Sequence, residues 1–253
     1  RDRADREQRR AGANVFGPLD VAQRPDAGPG LTFLLMGSDS RANTPTTGSE
    51  ASPGVDAGSE RSDVIMLAQL SADRTSATVV SIPRDSWVEI PGHGAGKINA
   101  AFAYGGAPLL IQTVEQLTRV HVDHFGVIDF AGFQGVVDAV GGIDVQVRAP
   151  TSGYGASFKQ GLNHLDGAAA LAYVRDRYNL PDGDIDRAKR QQNALRAVLA
   201  KAVSSGLMAD PVRLYRFLDQ LSRSVSVDDT LTNGDFRALA LDSRGCARRR
   251  SRS

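Results

Sequence analysis

Residues 173–192, YVRDRYNLPDGDIDRAKRQQ, form the stretch around which we expect the rest of the chain to be arranged. This stretch concentrates the cationic side chains of Arg175, Arg177, Arg187, Lys189 and Arg190. Such a density of positive charge needs an anionic partner or water. Two interpretations stay open: a solvated basic face paired with nearby aspartates, or a phosphate site, since arginine recognises phosphate through paired N–H donors.

The second half of the stretch predicts a helix that begins near Asp184 or Asp186, because aspartate caps helix N-termini. Its predicted apolar stripe has the spacing of one helical face and consists of Leu195, Val198, Leu199 and Ala202. At about 100° per residue, Arg187 and Gln191 lie at the edge of that stripe. We therefore expect both side chains to face the protein body.

Arg175 and Arg177 precede this helix and are two residues apart, so in an extended segment they share one face. Two guanidinium groups from an extended segment and that of Arg187 from the first helical turn are thus able to converge on one phosphate.

Length and composition restrict the class of protein. With 253 residues, of which 41% are apolar, the chain is able to bury a sizeable core, in one large α/β domain rather than two small ones. A net charge of +1 argues against a general polyanion binder. The single cysteine, Cys246, excludes an intrachain disulfide, and no apolar run has the length of a membrane span.

Strand-like segments alternate with helical ones along the chain. Strands are predicted at 31–36, 64–70, 77–82, 122–128 and 143–147, with the second and third forming a hairpin. Helices are predicted from Pro108, from Asp129, around 167–172, from Asp184 or Asp186, from Pro211 and from Thr232. Surface loops are predicted at 42–60 and after 147, where glycine and serine are frequent. This pattern predicts an α/β fold, a three-layer α/β/α domain with a central mixed β-sheet.

Charged residues cluster at the ends of the first three predicted strands, where α/β folds place their sites. Asp39 follows the first strand and Asp63 precedes the second, so both carboxylates are placed to face one hard cation such as Mg²⁺. Each aspartate is alternatively a turn or cap residue. Arg84 follows the third strand and is alternatively paired with Asp85, and Lys97, after a glycine-rich loop, is interpreted as a surface lysine.

Seven motifs in a fixed order resemble the LytR-CpsA-Psr family of cell-wall enzymes: LLMGSDSR, RSDVIML, VVSIPRDSWVEIP, GKINAAFAYGG, VIDFAGFQGVVDAVGGIDV, LDGAAALAYVRDR and GDIDRAKRQQ. The resemblance covers roughly residues 31–205, with a weaker continuation to about residue 243. It implies residues 31–243 as the catalytic domain and 1–30 as a flexible leader after a missing N-terminal membrane helix. Residues 244–253 form a basic tail that fits no family pattern.

The resemblance also implies a reaction and its site. Family members move a glycopolymer phosphate from a polyprenyl pyrophosphate carrier to a sugar hydroxyl of peptidoglycan, at the outer face of the cytoplasmic membrane. Carried over by motif, Asp39 and Asp63 bind Mg²⁺, with Mn²⁺ as an alternative ion. The pyrophosphate is held by Arg61, Arg84, Lys97, Arg175, Arg177, Arg187 and Gln191. Asp39, Arg84, Arg175 and Arg187 form the catalytic set, and Asp85 orients Arg84.

The same resemblance implies that apolar helices around 109–117 and 130–140 line a groove for the prenyl tail, although each of their residues singly fits plain core. Competing interpretations are a pyrophosphatase that uses water as acceptor, and a non-catalytic regulator that binds the lipid carrier. A nucleic-acid binder rests on the arginine-rich ends alone and is not expected. The Ala-, Arg- and Gly-rich composition favours an actinobacterial source, with arabinogalactan or an anionic polymer such as teichoic acid as glycopolymer.

Overall fold

A computed structural model describes residues 14–38, 62–73, 76–176, 184–204, 217, 219–221 and 224–230. The chain divides into two compact units, Arg1–Phe130 with Ser222–Ser253, and Ala131–Leu221. Each unit is described by itself. Within the described residues, no helix combines the length and apolar character that crossing a membrane requires.

A five-stranded mixed sheet forms the centre of the first unit, in the order β11-β6-β1-β2-β3. Its strands are β1 (Leu31–Ser38), β2 (Ser62–Leu70), β3 (Ala77–Ile82), β6 (His124–Ile128) and β11 (Val225–Val227). β1 pairs in parallel with β6, and the other pairs are antiparallel. The α/β class, the mixed sheet and the hairpin of 64–70 with 77–82 are therefore confirmed.

Burial alternates along β1, the central strand of this sheet. Every second residue of β1 is buried, including Leu34 and Met36, and the intervening residues are half-buried. The partner strands contribute Ile65, Phe125 and Val127 to the buried set. Their apolar surface leaves water on folding, which is the main favourable contribution to the stability of such a sheet.

The segment between Trp87 and Thr118 differs from the prediction. β4 (Trp87–Ile90) and β5 (Gly94–Lys97) form an antiparallel hairpin where a flexible glycine-rich loop was expected. Helix α1 then runs from Ile98 to Thr118, ten residues earlier than the predicted start at Pro108. A break at Gly105 and Gly106 divides α1, so Pro108 does lie in the first turn of its second half, where proline is tolerated.

A buried ion pair connects Arg24 to Glu115 of α1 in the first unit. The Glu115 side chain is 2% exposed and accepts hydrogen bonds from the Arg24 guanidinium at 2.8 Å and from the Val122 backbone N–H at 2.8 Å. Arg24 also donates to the Val122 carbonyl at 2.6 Å. Paired in this way, the buried carboxylate avoids the large cost of an isolated charge.

The second unit joins helices to short strands. Its elements are α2 (Phe130–Ala139), whose first residue belongs to the first unit, β7 (Ile143–Val147), β8 (Thr151–Gly153), β9 (Ala156–Phe158), β10 (Gly161–Leu165), α3 (Gly167–Arg175) and α4 (Asp184–Ser204). β7 pairs with β10, and β8 pairs with β9. The predicted strand at 143–147 is confirmed. The predicted loop after it is wrong, because it holds three strands. The helices predicted from Pro211 and Thr232 lie mostly or wholly outside the described residues.

Candidate functional site

A cluster of two cations and one carboxylate follows the end of β3. Lys97 Nζ lies 2.7 Å from Asp85 Oδ1, and Arg84 Nε lies 3.5 Å from Asp85 Oδ2. The hydrogen bond from Lys97 is the largest cause that holds the pKa of Asp85 below its usual value, and the charges of Lys97 and Arg84 act in the same direction. Asp85 is thus a carboxylate shared by two cations, and the three side chains carry a net positive charge.

The backbone fixes this cluster against the start of α1. The Ile98 N–H donates to the Ser86 carbonyl at 2.9 Å, and the Asn99 N–H donates to the Arg84 carbonyl at 3.2 Å. Two N–H groups that have no partner inside the helix are satisfied in this way. The turn that carries Arg84 is therefore held in place by the helix that begins after Lys97.

The predicted Arg84–Asp85 pairing is observed, and Lys97 is a surface lysine as interpreted, but it is also paired with Asp85. Lys97 ends β5, and its Cα lies opposite that of Trp87 in the register of β4 and β5. The hairpin directs the Lys97 side chain to Asp85, twelve residues earlier in the chain. Its side chain is 55% exposed and that of Asp85 is 46% exposed, so both lie at the surface, accessible to an anion from solvent.

The ends of β1 and β2 meet as the sequence predicts. Ser38 pairs with Ser62 and Gly37 pairs with Val64, so the register skips Asp63, which is the extra residue of a β-bulge. Ser38 is 1% exposed, and its Oγ has no hydrogen-bond partner within the part of the chain that the structure describes. β-bulges are over-represented next to functional sites, and a buried polar atom without a partner is rare enough to need an explanation, such as a bound ion.

The predicted metal ligands fall largely outside the described residues. Asp39 and Arg61 lie outside them, and for Asp63 only the backbone is described. Among the described side chains, no group of three or more His, Cys, Asp or Glu residues is arranged to hold a metal ion. The Ser38 hydroxyl at this strand end is an oxygen donor of the kind that Mg²⁺ prefers, and with two carboxylates it would give an all-oxygen set. The chemistry of these residues therefore fits Mg²⁺.

Arg175 occupies a different position from the predicted one. It is the last residue of α3, so the expectation that it lies in an extended segment is wrong. Its guanidinium carbon lies 4.6 Å from the centre of the Tyr154 ring, a cation–π contact that holds the side chain over the β8–β9 turn. Arg177 lies outside the described residues.

Helix α4 begins at Asp184, as predicted, and Arg187 and Gln191 are both half-buried, consistent with the predicted face. The buried face of α4 is displaced from the predicted apolar stripe. It contains Arg190, Ala194 and Val198, whereas Leu199 is 44% exposed. The side chain of Ala202 lies outside the described set.

Arg190 is the residue that the sequence did not identify as buried. Its Nη1 lies 3.0 Å from Asp176 Oδ2, and its guanidinium lies 4.8 Å from the centre of the Tyr173 ring. Asp176 is 1% exposed and also accepts a hydrogen bond from the Thr151 hydroxyl at 2.8 Å. This pair joins the end of α3 to α4, and therefore fixes the two helices that carry Arg175 and Arg187. An arginine is buried only when it is paired with a carboxylate. The nearby Asp176 was therefore the one sequence feature that could have indicated the burial of Arg190.

The apolar residues that the family resemblance placed along a prenyl groove are mostly core. Leu110, Ile111 and Val114 of α1 are fully buried, as is Val137 of α2. Leu117 has 48% of its surface exposed, and Leu109, Phe130 and Phe133 are half-buried. The structure places Arg84, Asp85 and Lys97 together in the first unit, and Arg175, Arg187 and Gln191 on the α3–α4 pair of the second unit.

Comparisons with known proteins agree on one family. The LytR_cpsA_psr family profile matches residues 4–248. The chain is 39% identical over 220 residues to a probable cell wall biosynthesis protein, LcpB, of Corynebacterium glutamicum, covering 85% of this chain and 52% of that protein. It is 35% identical over 198 residues to the polyisoprenyl-teichoic acid–peptidoglycan teichoic acid transferase TagU of Enterococcus faecalis, covering 76% of this chain and 64% of that protein.

Solved structures give the same result. The crystal structure of B. subtilis TagV is similar with a TM-score of 0.69 and 29% identity, over 85% of this chain and 80% of that chain. The structure of TagT bound to LIIa-WTA is similar with a TM-score of 0.67 and 28% identity, over 90% of this chain and 81% of that chain. The chain spans about half the length of the Corynebacterium relative and about two thirds of the Enterococcus one.

Proposed function

The chain belongs to the LytR-CpsA-Psr family, and from this premise we propose that it is a phosphotransferase that attaches a glycopolymer to peptidoglycan. The donor is a glycopolymer linked to a polyprenyl pyrophosphate, and the acceptor is a sugar hydroxyl of peptidoglycan. The names of the relatives support this choice, since one is a teichoic acid transferase that acts on a polyisoprenyl-linked polymer. The observation that carries the proposal is the Arg84–Asp85–Lys97 cluster at the end of β3.

In the proposed reaction, the acceptor hydroxyl oxygen forms a bond to the phosphorus that bears the glycopolymer. The bond from that phosphorus to the bridging oxygen of the pyrophosphate breaks, polyprenyl phosphate leaves with the electron pair, and the hydroxyl proton passes to water. Negative charge increases on the bridging and equatorial oxygens during this step. Arginine and lysine side chains aimed at those oxygens stabilise the transition state more than the ground state.

The observed contacts suggest a different role for each side chain in the proposed site. Asp85 pairs with both Lys97 and Arg84, so the two cations already lie beside one carboxylate before the pyrophosphate binds. Tyr154 restrains Arg175 in the same manner, and Arg187 lies in the first turn of α4, where the helix N-terminus favours an anion. Arg61, Arg177 and Gln191 complete the proposed pyrophosphate-binding set.

We propose Mg²⁺ as the cofactor, held by Asp39 and Asp63 at the paired ends of β1 and β2. The bulge at Asp63 supports this placement, as does the Ser38 hydroxyl, which has no hydrogen-bond partner among the described residues. When bound, the ion neutralises charge on the pyrophosphate. The proposed site of action is the outer face of the cytoplasmic membrane, because a polyisoprenyl-linked donor is confined to a membrane and the peptidoglycan acceptor lies outside it.

The test is transfer of a radiolabelled polymer from a synthetic lipid-linked oligosaccharide to peptidoglycan, with Mg²⁺, by the wild type and by Arg84→Ala and Arg187→Ala. Each substitution removes a cation that stabilises the negative charge on the pyrophosphate oxygens in the transition state. We therefore expect kcat to fall by about 10²–10³. Arg148→Ala and Arg196→Ala are matched controls, since both residues are exposed and Arg196 shares α4 with Arg187; they are expected to keep wild-type rates.

Three outcomes separate the alternatives. Polymer release at the same rate without peptidoglycan would indicate a pyrophosphatase with water as acceptor. Binding of the lipid carrier without any product would indicate a non-catalytic carrier-binding protein. Full transfer by Arg84→Ala would overturn the assignment of the site.

A further inference from the structure

An open groove lies between β4 and the end of α1, within the first unit. It encloses about 620 Å³ and is lined by Trp87 and Glu89 of β4 and by Gln116, Leu117 and Arg119 at the end of α1. That volume is within the range of about 300–1,000 Å³ that is typical for small-molecule sites. The groove contains none of the residues assigned to pyrophosphate or metal, so it is available for a different ligand.

Trp87 is the most unusual residue of this groove. It is the only tryptophan of the chain, and 71% of its surface is exposed. Burial alternates along β4, so that Val88 and Ile90 face the core while Trp87 and Glu89 face outward. The large aromatic ring is therefore held outward by an ordered strand. Exposed aromatic surface beside exposed Leu117 marks an interaction site.

Three polar side chains of the groove are available to a ligand, whereas that of a fourth, Gln23, donates a hydrogen bond to Asp20. Among the residues that the structure describes, the side chains of Glu89, Gln116 and Arg119 make no hydrogen bond or ion pair. Arg119 is nevertheless positioned by its backbone, which has φ 58° and donates its N–H to the Glu115 carbonyl at 2.8 Å. The groove thus offers amide, carboxylate and guanidinium groups around one aromatic face.

This chemistry discriminates between possible occupants. A prenyl chain would remove Glu89, Gln116 and Arg119 from water without replacing their hydrogen bonds, which is unfavourable. A polyphosphate polymer would need an excess of cations, whereas the single negative charge of Glu89 offsets the single positive charge of Arg119. A hexose with acetamide and hydroxyl substituents fits better, because it has one apolar C–H face for the indole ring and hydrogen-bonding groups at its edge.

We propose that the Trp87 groove binds a sugar ring of the peptidoglycan glycan strand. Its position supports this ligand, because Trp87 lies directly opposite Lys97 in the β4–β5 hairpin, and Lys97 contacts Asp85 beside Arg84. A glycan strand held at Trp87 therefore lies next to the proposed pyrophosphate cluster. The choice of peptidoglycan among sugar polymers and the role of its strand as acceptor rest on the proposed function, whereas the binding of a sugar ring at Trp87 does not.

The only tryptophan makes the test direct, since the intrinsic fluorescence of the protein reports on the groove itself. The probe is soluble glycan strands of alternating N-acetylglucosamine and N-acetylmuramic acid, freed of their peptide stems. We expect saturable protection of Trp87 from acrylamide quenching and a blue-shifted emission. By calorimetry, Trp87→Ala is expected to bind the strands about tenfold more weakly, while Trp87→Phe keeps most of the affinity.

Gln116→Ala and Arg119→Ala examine the α1 side of the groove and are expected to weaken binding a few-fold. Val80→Ala is the control, because Val80 is also an exposed apolar residue, at 52%, but lies on β3 away from the groove. Equal affinity of Trp87→Ala and the wild type overturns the proposal. It is also overturned if polyprenyl phosphate vesicles or isolated teichoic acid protect Trp87 while the glycan strands do not.

Failure of this inference is distinguishable from failure of the proposed function. Arg187→Ala is expected to lose transfer and to bind glycan strands with wild-type affinity, since Arg187 belongs to the second unit and not to the groove. Glycan binding without transfer by the wild type would support the groove and contradict the transferase. Transfer that is unaffected by Trp87→Ala would support the transferase and contradict the groove as the site of the acceptor strand.

Discussion

At the scale of single residues, the Asp176–Arg190 pair and the Lys189–Asp186 pair provide a direct comparison of burial. Both involve α4 and have similar lengths, 3.0 Å and 3.1 Å. Asp176 and Arg190 are buried, whereas the Lys189 side chain is 46% exposed. Removing one partner of a buried pair leaves an uncompensated charge, whereas an exposed pair is screened by water.

We therefore expect Asp176→Ala to lower the free energy of unfolding by about 3–5 kcal/mol. Lys189→Ala is the matched control and is expected to change it by less than about 1 kcal/mol. Urea denaturation followed by circular dichroism measures both. Equal, small losses for the two variants would contradict a stabilising role of the buried pair in joining α3 to α4.

At the scale of secondary-structure elements, the break in α1 depends on one glycine. Gly106 has φ 62° and ψ −155°, a combination that residues with a side chain rarely adopt. An added Cβ would lie 3.8 Å from Pro108 Cδ, which is ordinary van der Waals contact. The cost of a substitution here therefore comes from the backbone conformation and not from a steric clash.

Gly106→Ala is expected to destabilise the protein by about 1–3 kcal/mol. Gly28→Ala is the control, because an added Cβ there would meet no atom within 4 Å and the backbone is not in the left-handed region. It should be neutral or slightly stabilising. Differential scanning calorimetry of both variants is the measurement, and an unchanged melting temperature for Gly106→Ala would show that α1 tolerates another conformation at the break.

At the scale of the whole molecule, the first unit is assembled from segments that are far apart in the sequence. β11 pairs with β6, and the buried Asp228 carboxylate accepts hydrogen bonds from the Phe125 N–H at 2.9 Å and from Thr230. Burial would raise the pKa of Asp228, but hydrogen bonds from His124, Thr230 and Phe125 together outweigh burial and hold the pKa below the usual 3.8.

A lowered pKa means that the folded state favours the ionised form of Asp228. This contribution is fully present above pH 3.8, the usual value, and is lost as the pH falls through the lower value of the folded state. We expect Asp228→Asn to lose about 1–3 kcal/mol of stability at pH 7, with the difference from the wild type narrowing below pH 3.8.

The measurement is urea denaturation of both proteins across that pH range. Asp26→Asn is the control, since Asp26 is exposed and makes no hydrogen bond within the described residues. A difference between Asp228→Asn and the wild type that stays constant down to pH 2 would contradict this account.

The sequence by itself determined the family, the α/β class and most strands of the central sheet. Segments such as 31–36 and 77–82 are recognisable because alternation of apolar residues is a local property of the chain. The start of α4 was likewise predicted from a local capping signal at Asp184. The positions of Asp39, Asp63 and the site arginines came from motifs, and their roles stay predictions.

Only the tertiary structure decided which charged residues that are distant in the sequence meet. The pairing of Lys97 with Asp85 depends on a hairpin, and the burial of Arg190 against Asp176 depends on how α3 packs on α4. Apolar periodicity alone predicted that Leu199 lies on the buried face of α4, and it could not predict that Arg190 does. An arginine is buried only where another part of the chain supplies its counter-charge, which a local pattern does not show. The exposed position of Trp87 was decided in the same way, by a strand pairing between residues that no local pattern connects.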